Sequence, residues 1–331
     1  MKLATYRDGS RDGQLIVVSR DLTLAHHAFG VASRMQQVLD DWKFLSPQLE
    51  EMSQALNHGK LRHAFGFDPR LCLAPLPRAY RWATGPAYPN HLALLSGARD
   101  GTPQAGAEPW LTLGGSDDLA GPHDPIALTG ADLEADFGAT VAVICGDVAL
   151  GTPPEAAIDA VRLVMLANDI SLRAVLATDA TRAHGPVQGQ PATAFSPVAV
   201  TPDELEDAWQ GGRVHLNLEC RWNGQRVGRL ETGPEMRWHF GDLIAHLART
   251  RRLRAGSIVG AGTVSNADPA RGYACVAEQR ARETLAGTST LTRYLEPGDT
   301  VAMDMRNGEG PSVFGAIEQD VVAARTPGGA V

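Results

Sequence analysis

From Ala139 onward the chain keeps returning to short β-branched apolar runs separated by Gly, Pro and Asp turns, and this rhythm limits the fold more than any other feature. Runs at Ala139–Ile144, Ala194–Val200, Val214–Arg221, Ser257–Gly260 and Thr300–Met305 read as strands. Helical spacing intervenes at two places: Pro154–Ala167, with Glu155 in its first turn, and His239–Thr250, whose Phe240, Leu243, Ile244 and Leu247 share one face. Long strand-rich sequence with occasional helices predicts an α+β or mainly β unit instead of alternating βαβ units.

Ahead of it, Leu3–Val18 reads as a hairpin closed by the turn-rich DGSRDG, followed by helical spacing at Val31–Trp42 and Leu49–Leu56. The segment DPRLCLAPLPRA, residues 68–79, places three prolines close together, which suits an extended connection. The expected organisation is a small N-terminal domain over 1–73, a larger domain over 74–325 and a flexible tail over 326–331.

Composition removes several function classes. A net charge of −8 over 331 residues repels nucleic-acid phosphates, and the one dense basic run, Arg249–Arg254, suits a solvated helix end. The opening residues alternate charged and apolar positions and hold no apolar stretch for a signal peptide or bilayer span, so a cytoplasmic protein with no membrane partner is expected. The lysines are Lys2, Lys43 and Lys60 alone, so chemistry beyond residue 60 proceeds without a lysine amine, excluding Schiff bases and P-loops there. Cys72, Cys145, Cys220 and Cys275 follow no zinc-finger or CxxC spacing and read as buried free thiols.

No GxSxG, HExxH, dinucleotide-binding or Walker motif is present. What stands out is an ordered series of polar clusters: Asn90-His91, LGGSDDLAGPHDPI, MLANDISLR, QGQPATAFSP and GAGTVSNADPARGYACVAEQR. With the opening MKLATYRDGSRDGQLIVVSRDL, PLPRAYRW, the LRAGSIVGAGTVSN run and the closing FGAIEQ, they resemble, over almost the whole chain, bacterial members of the fumarylacetoacetate hydrolase family with a short N-terminal domain. The resemblance implies a C-terminal mixed β-roll, a homodimer, and magnesium- or manganese-dependent cleavage or decarboxylation of 1,3-dicarbonyl acids.

The same resemblance implies a metal held by a Glu-x-Glu pair on one strand and a downstream aspartate, because a hard cation wants several anionic oxygens on one side of the strand. Here the strand reads DFGATVAVI, so Gly138 and Thr140 stand at the glutamate positions and only Asp169 matches a ligand. Asp136 shares their parity and, with Glu134, is the nearest substitute carboxylate. The family's lysine ahead of PATAF is Gln190, a neutral donor. The acidic residue that follows the motif histidine in the family is missing, since Leu92, Ala93, Leu94 and Leu95 follow His91, which is therefore expected to lack its partner.

His91 and Asp169 are accordingly the candidate catalytic residues, and Gln190, Thr263, Tyr88, Ser116 and Asp117 the candidate substrate contacts. Tyr273, Glu278, Arg280 and Glu283 read as structural or interfacial. No cofactor is expected, and Mg or Mn only if another ligand set exists. The expected function is a repurposed, metal-independent enzyme on a small dicarbonyl or polyketide-like metabolite, performing cyclisation, elimination, isomerisation or C–C cleavage. The alternatives are a catalytically silent protein binding a ligand or partner, and a C–C hydrolase of the fumarylacetoacetate or acylpyruvate type with a rearranged metal site.

Overall fold

The computed structural model describes residues 1–97, 108–181, 187–308 and 310–324, so the tail assigned to 326–331 lies outside the described residues. Its centre is the pair of strands Ala139–Cys145 and Val161–Asn168, antiparallel to each other and buried along nearly their whole length. Both read as near-continuous apolar runs, ATVAVIC and VRLVMLAN, as strands do when both faces of their sheet are covered. Alternation divides their side chains between two packed clusters. Val141, Val143, Val164 and Leu166 meet one; Ala142, Ile144, Leu163 and Met165 meet the other, which also takes Met35, Val38, Leu39 and Leu49 from the N-terminal helices.

These two strands sit inside an 11-stranded sheet. On one side Val198–Val200 joins them to Lys2–Tyr6, so the N-terminal hairpin, Lys2–Tyr6 with Gln14–Val18, continues the same sheet. On the other, Ser257–Gly260 pairs antiparallel with Ala139–Cys145 and parallel with Arg81–Thr84, which brings the chain segments around residues 84, 138, 169 and 263 to one end of the sheet. A second sheet of five strands is built on Asn217–Trp222, Gln225–Glu231, Thr300–Arg306 and Ile317–Ala323, with Ile126–Leu128 at its edge.

The hairpin, the helix at Phe240–Ala248 and the strand Ala139–Cys145 agree with the sequence reading. Pro154–Ala167 does not. The helix ends at Ala157, a 3₁₀ turn follows to Ala160, and Val161–Asn168 is a strand. Apolar residues that occupy both faces of a covered strand fit a helical stripe equally well, and here the β-branched, doubly buried environment decides. Ala194–Val200 is likewise split, into Ala194–Phe195 and Val198–Val200 around Ser196-Pro197. The four cysteines are free and buried. No helix among the described residues is long and apolar enough to cross a membrane.

Candidate active site

At that end of the large sheet lies a cleft of about 200 Å³, bordered by Thr84, His91, Asp169, Arg173, Gln190 and Thr263 and walled by Leu92, Leu95, Trp110 and Leu176. His91 enters it from the helix Pro89–Gly97, which begins on proline, a residue suited to a helix start. Asn90 ties this helix to the opposite wall, its amide donating to Ser265 Oγ at 2.8 Å and to the Asn266 carbonyl at 2.9 Å. Thr263 is brought close by Gly262, whose φ is +72° and whose Cβ position would lie 2.4 Å from the Gly85 carbonyl, so glycine is required on both counts.

His91 has a partner after all. Its Nδ1 lies 2.6 Å from Glu278 Oε1, with the glutamate fully buried. An ionised carboxylate only accepts, so with Glu278 as the acceptor Nδ1 is the donor and Nε2 of the neutral ring is the free acceptor. The expectation of an isolated histidine is corrected: the acid missing after His91 is supplied by a helix 187 residues away, Val276–Leu285. Glu278 sits in the first turn of that helix, and nothing local in ACVAEQR marks it as a partner for a distant side chain.

Asp169 follows the buried strand Val161–Asn168 and accepts from Thr193 Oγ1 at 3.0 Å. Burial pushes its carboxyl up to about 6, with the Thr193 hydroxyl, the Arg173 guanidinium and the Trp82 indole opposing. Gln190 Oε1 and Thr84 Oγ1 are buried beside it and have no hydrogen-bond partner among the described residues, so the cleft offers two polar atoms that a ligand can satisfy.

Gly138 and Thr140, where the resemblance implies metal ligands, carry little oxygen toward the cleft. Gly138 has no side chain, and a Cβ there would meet the Asp169 carbonyl at 2.5 Å, while Gly138 N–H donates to Asn168 Oδ1 at 3.0 Å. The Thr140 hydroxyl donates to the Gly262 carbonyl at 2.6 Å. Asp136, weighed as a substitute ligand, belongs to the separate short strand Ala135–Asp136, and its carboxylate binds Arg173 and the backbone N–H groups of Val276 and Ala277. Its lone pairs are spent.

Three candidate contacts lie elsewhere. Tyr88 is buried in the core with its hydroxyl donating to the Thr232 carbonyl at 2.7 Å, so the ring packs and its polar end is satisfied internally. Ser116 and Asp117 border a different cleft, of about 510 Å³, together with Arg34, Arg78 and Tyr80. Adjacency to a polar loop brought these residues into the sequence reading; the topology separates them from His91.

A family model described as "Fumarylacetoacetate (FAA) hydrolase C-terminal" matches residues 81–322, and "Fumarylacetoacetase N-terminal domain 2" matches residues 1–78. Among solved structures the chain is similar to a fumarylacetoacetate hydrolase from psychrophilic Exiguobacterium antarcticum, at 18% identity and TM-score 0.68, covering 98% of this chain and 99% of that one. It is also similar to a maleylpyruvate hydrolase from Sphingobium sp. SYK-6 in complex with manganese(II) and pyruvate, at 17% identity and TM-score 0.65, covering 98% of this chain and all (100%) of that one. No match was found among curated proteins.

Proposed function

Because the chain belongs to the fumarylacetoacetate hydrolase family, shown by a family model spanning residues 81–322, we propose that it is an enzyme of small 1,3-dicarbonyl or polyketide-like compounds that works by proton transfer without a metal. The observation that carries this reading is the His91–Glu278 contact of 2.6 Å beside the cleft. A carboxylate on Nδ1 fixes the tautomer and stabilises the imidazolium formed when Nε2 takes a proton, the general requirement of a histidine base. A carbon between two carbonyls is acidic enough for such a base. Thr263, Gln190 and Thr84 would orient the carbonyl oxygens, and Leu92, Leu95 and Trp110 would hold the apolar part of the substrate.

The family's hydrolytic reaction calls for a divalent cation to polarise the dicarbonyl and stabilise the departing carbanion. Gly138 and Thr140 provide no carboxylate for it and Asp136 is paired with Arg173, leaving Asp169 as one anionic ligand where a hard cation takes several. These residues do not fit magnesium or manganese. Proton abstraction, followed by isomerisation, elimination or cyclisation according to the substrate, is the chemistry left to this donor set.

The test is hydrogen–deuterium exchange at the central carbon of a panel of 1,3-dicarbonyl compounds, followed by NMR with protein held in chelator. Exchange above the buffer rate, lowered about 10²- to 10⁴-fold in His91→Ala, is the expected result. Exchange or cleavage that appears only when manganese is restored would return the chain to metal-dependent hydrolysis.

A further inference from the structure

Next to the cleft, ligand atoms of His91, Cys275 and Glu278 all lie within 4.8 Å of one another, and all three residues are buried. We propose that this trio binds a borderline-soft divalent cation of the zinc class. Imidazole nitrogen, thiolate sulfur and carboxylate oxygen are the donors zinc takes, whereas magnesium and calcium prefer oxygen alone. Zinc-to-ligand bonds of about 2.0–2.3 Å place tetrahedral donors on the order of 3.5 Å apart, so the trio adjusts to an ion by side-chain movements of roughly 1 Å.

Two features beyond proximity point to a cation. Glu278 Oε2 is buried without a hydrogen-bond partner among the described residues, and its ion pair with Arg282 is long, at 3.9 Å. A desolvated carboxylate oxygen in that state is relieved by a metal ion. Cys275 occupies the N-cap position of the helix Val276–Leu285, yet its side chain caps nothing. Asp136 takes the helix's first two amides instead, at 2.7 and 3.0 Å, so neither of them draws on the sulfur. On binding, the thiol gives up its proton to solvent, the His91 proton moves from Nδ1 to Nε2, and the His91–Glu278 hydrogen bond gives way to two metal bonds. If the dyad acts as the base proposed above, zinc inhibits the enzyme; the binding itself does not depend on that reading.

Metal-stripped full-length protein titrated with cobalt(II) is expected to develop thiolate-to-metal charge-transfer absorption in the near ultraviolet, which one equivalent of zinc removes and excess magnesium does not. Cys275→Ser should abolish that absorption and weaken zinc binding by calorimetry about 100-fold or more. His91→Asn, on a different helix, should weaken zinc comparably and serves if the cysteine variant folds poorly. Absence of the charge-transfer band in the wild-type protein, or zinc affinity unchanged in both variants, overturns the site. These readouts use no substrate, so their failure leaves the role of His91 in proton transfer to be judged by exchange alone.

Discussion

Asp136 and Arg173 meet at 2.9 Å with the aspartate fully buried, and the same carboxylate receives the N–H groups of Val276 and Ala277 at 2.7 and 3.0 Å. One side chain thus holds a cationic wall of the cleft and the start of the helix that carries Cys275 and Glu278. Removing one partner of a buried pair strands the other charge, at about 3–5 kcal/mol. Asp136→Asn is expected to lose stability on that scale in urea unfolding, with an unchanged slope. A loss under about 1 kcal/mol would show that water already compensates Arg173.

The geometry at Gly138 sets a limit on reconstruction. A Cβ at this position would sit 2.5 Å from the Asp169 carbonyl oxygen, and Thr140 already spends its hydroxyl on Gly262. Writing in the Glu-x-Glu pair that the family resemblance implies at these positions, as Gly138→Glu with Thr140→Glu, therefore forces backbone displacement. The double variant should lose about 1–3 kcal/mol, as overpacked cores do, and gain no calorimetrically tight manganese site. Tight stoichiometric manganese binding by a stable double variant would mean that the strand yields easily and that charge alone separates this chain from metal-binding members.

Much of this was legible in the sequence because it is local. The N-terminal hairpin and the doubly covered strand at Ala139 are each carried by a few adjacent residues. Glu278 was not legible as the partner of His91, because the contact joins two helices 187 residues apart and its register depends on Asp136 pinning the second one. Tyr88 misled for the opposite reason: a polar end near His91 in sequence is turned inward by the Thr232 carbonyl. The helical spacing read over Pro154–Ala167 fails from Val161 on because the apolar residues there satisfy either period, and only the strands on each side of Val161–Asn168 decide.

Lys2 gives a pH dependence remote from the cleft. Its ammonium donates to the Val313 carbonyl at 2.7 Å, and burial lowers it from 10.5 to about 8, with Glu204 opposing. Between those values the unfolded chain holds a proton that the folded chain has released, so this residue makes stability rise with pH across the window. Below 8 the cost is complete, on the order of 3 kcal/mol. Lys2→Met should flatten the rise in unfolding free energy from pH 8 to 10 relative to wild type. An identical slope in the two proteins would place the ammonium in contact with water.

Asp169 titrates in the opposite sense. Its carboxyl is raised from 3.8 to about 6 because it is buried, while the Thr193 hydroxyl at 3.0 Å favours the ionised form. Between 3.8 and 6 the folded chain keeps a proton that the unfolded chain has lost, so the stability this group contributes is complete below the window and is gone above it. Thr193→Val removes an opposing donor with little change in shape. The carboxyl midpoint, followed by carbon-13 NMR of labelled aspartate, should then move above about 6 and the acid-side stability window should widen. A midpoint that stays or falls would mean that Thr193 bonds elsewhere in solution, and that water already reaches the Asp169 carboxylate.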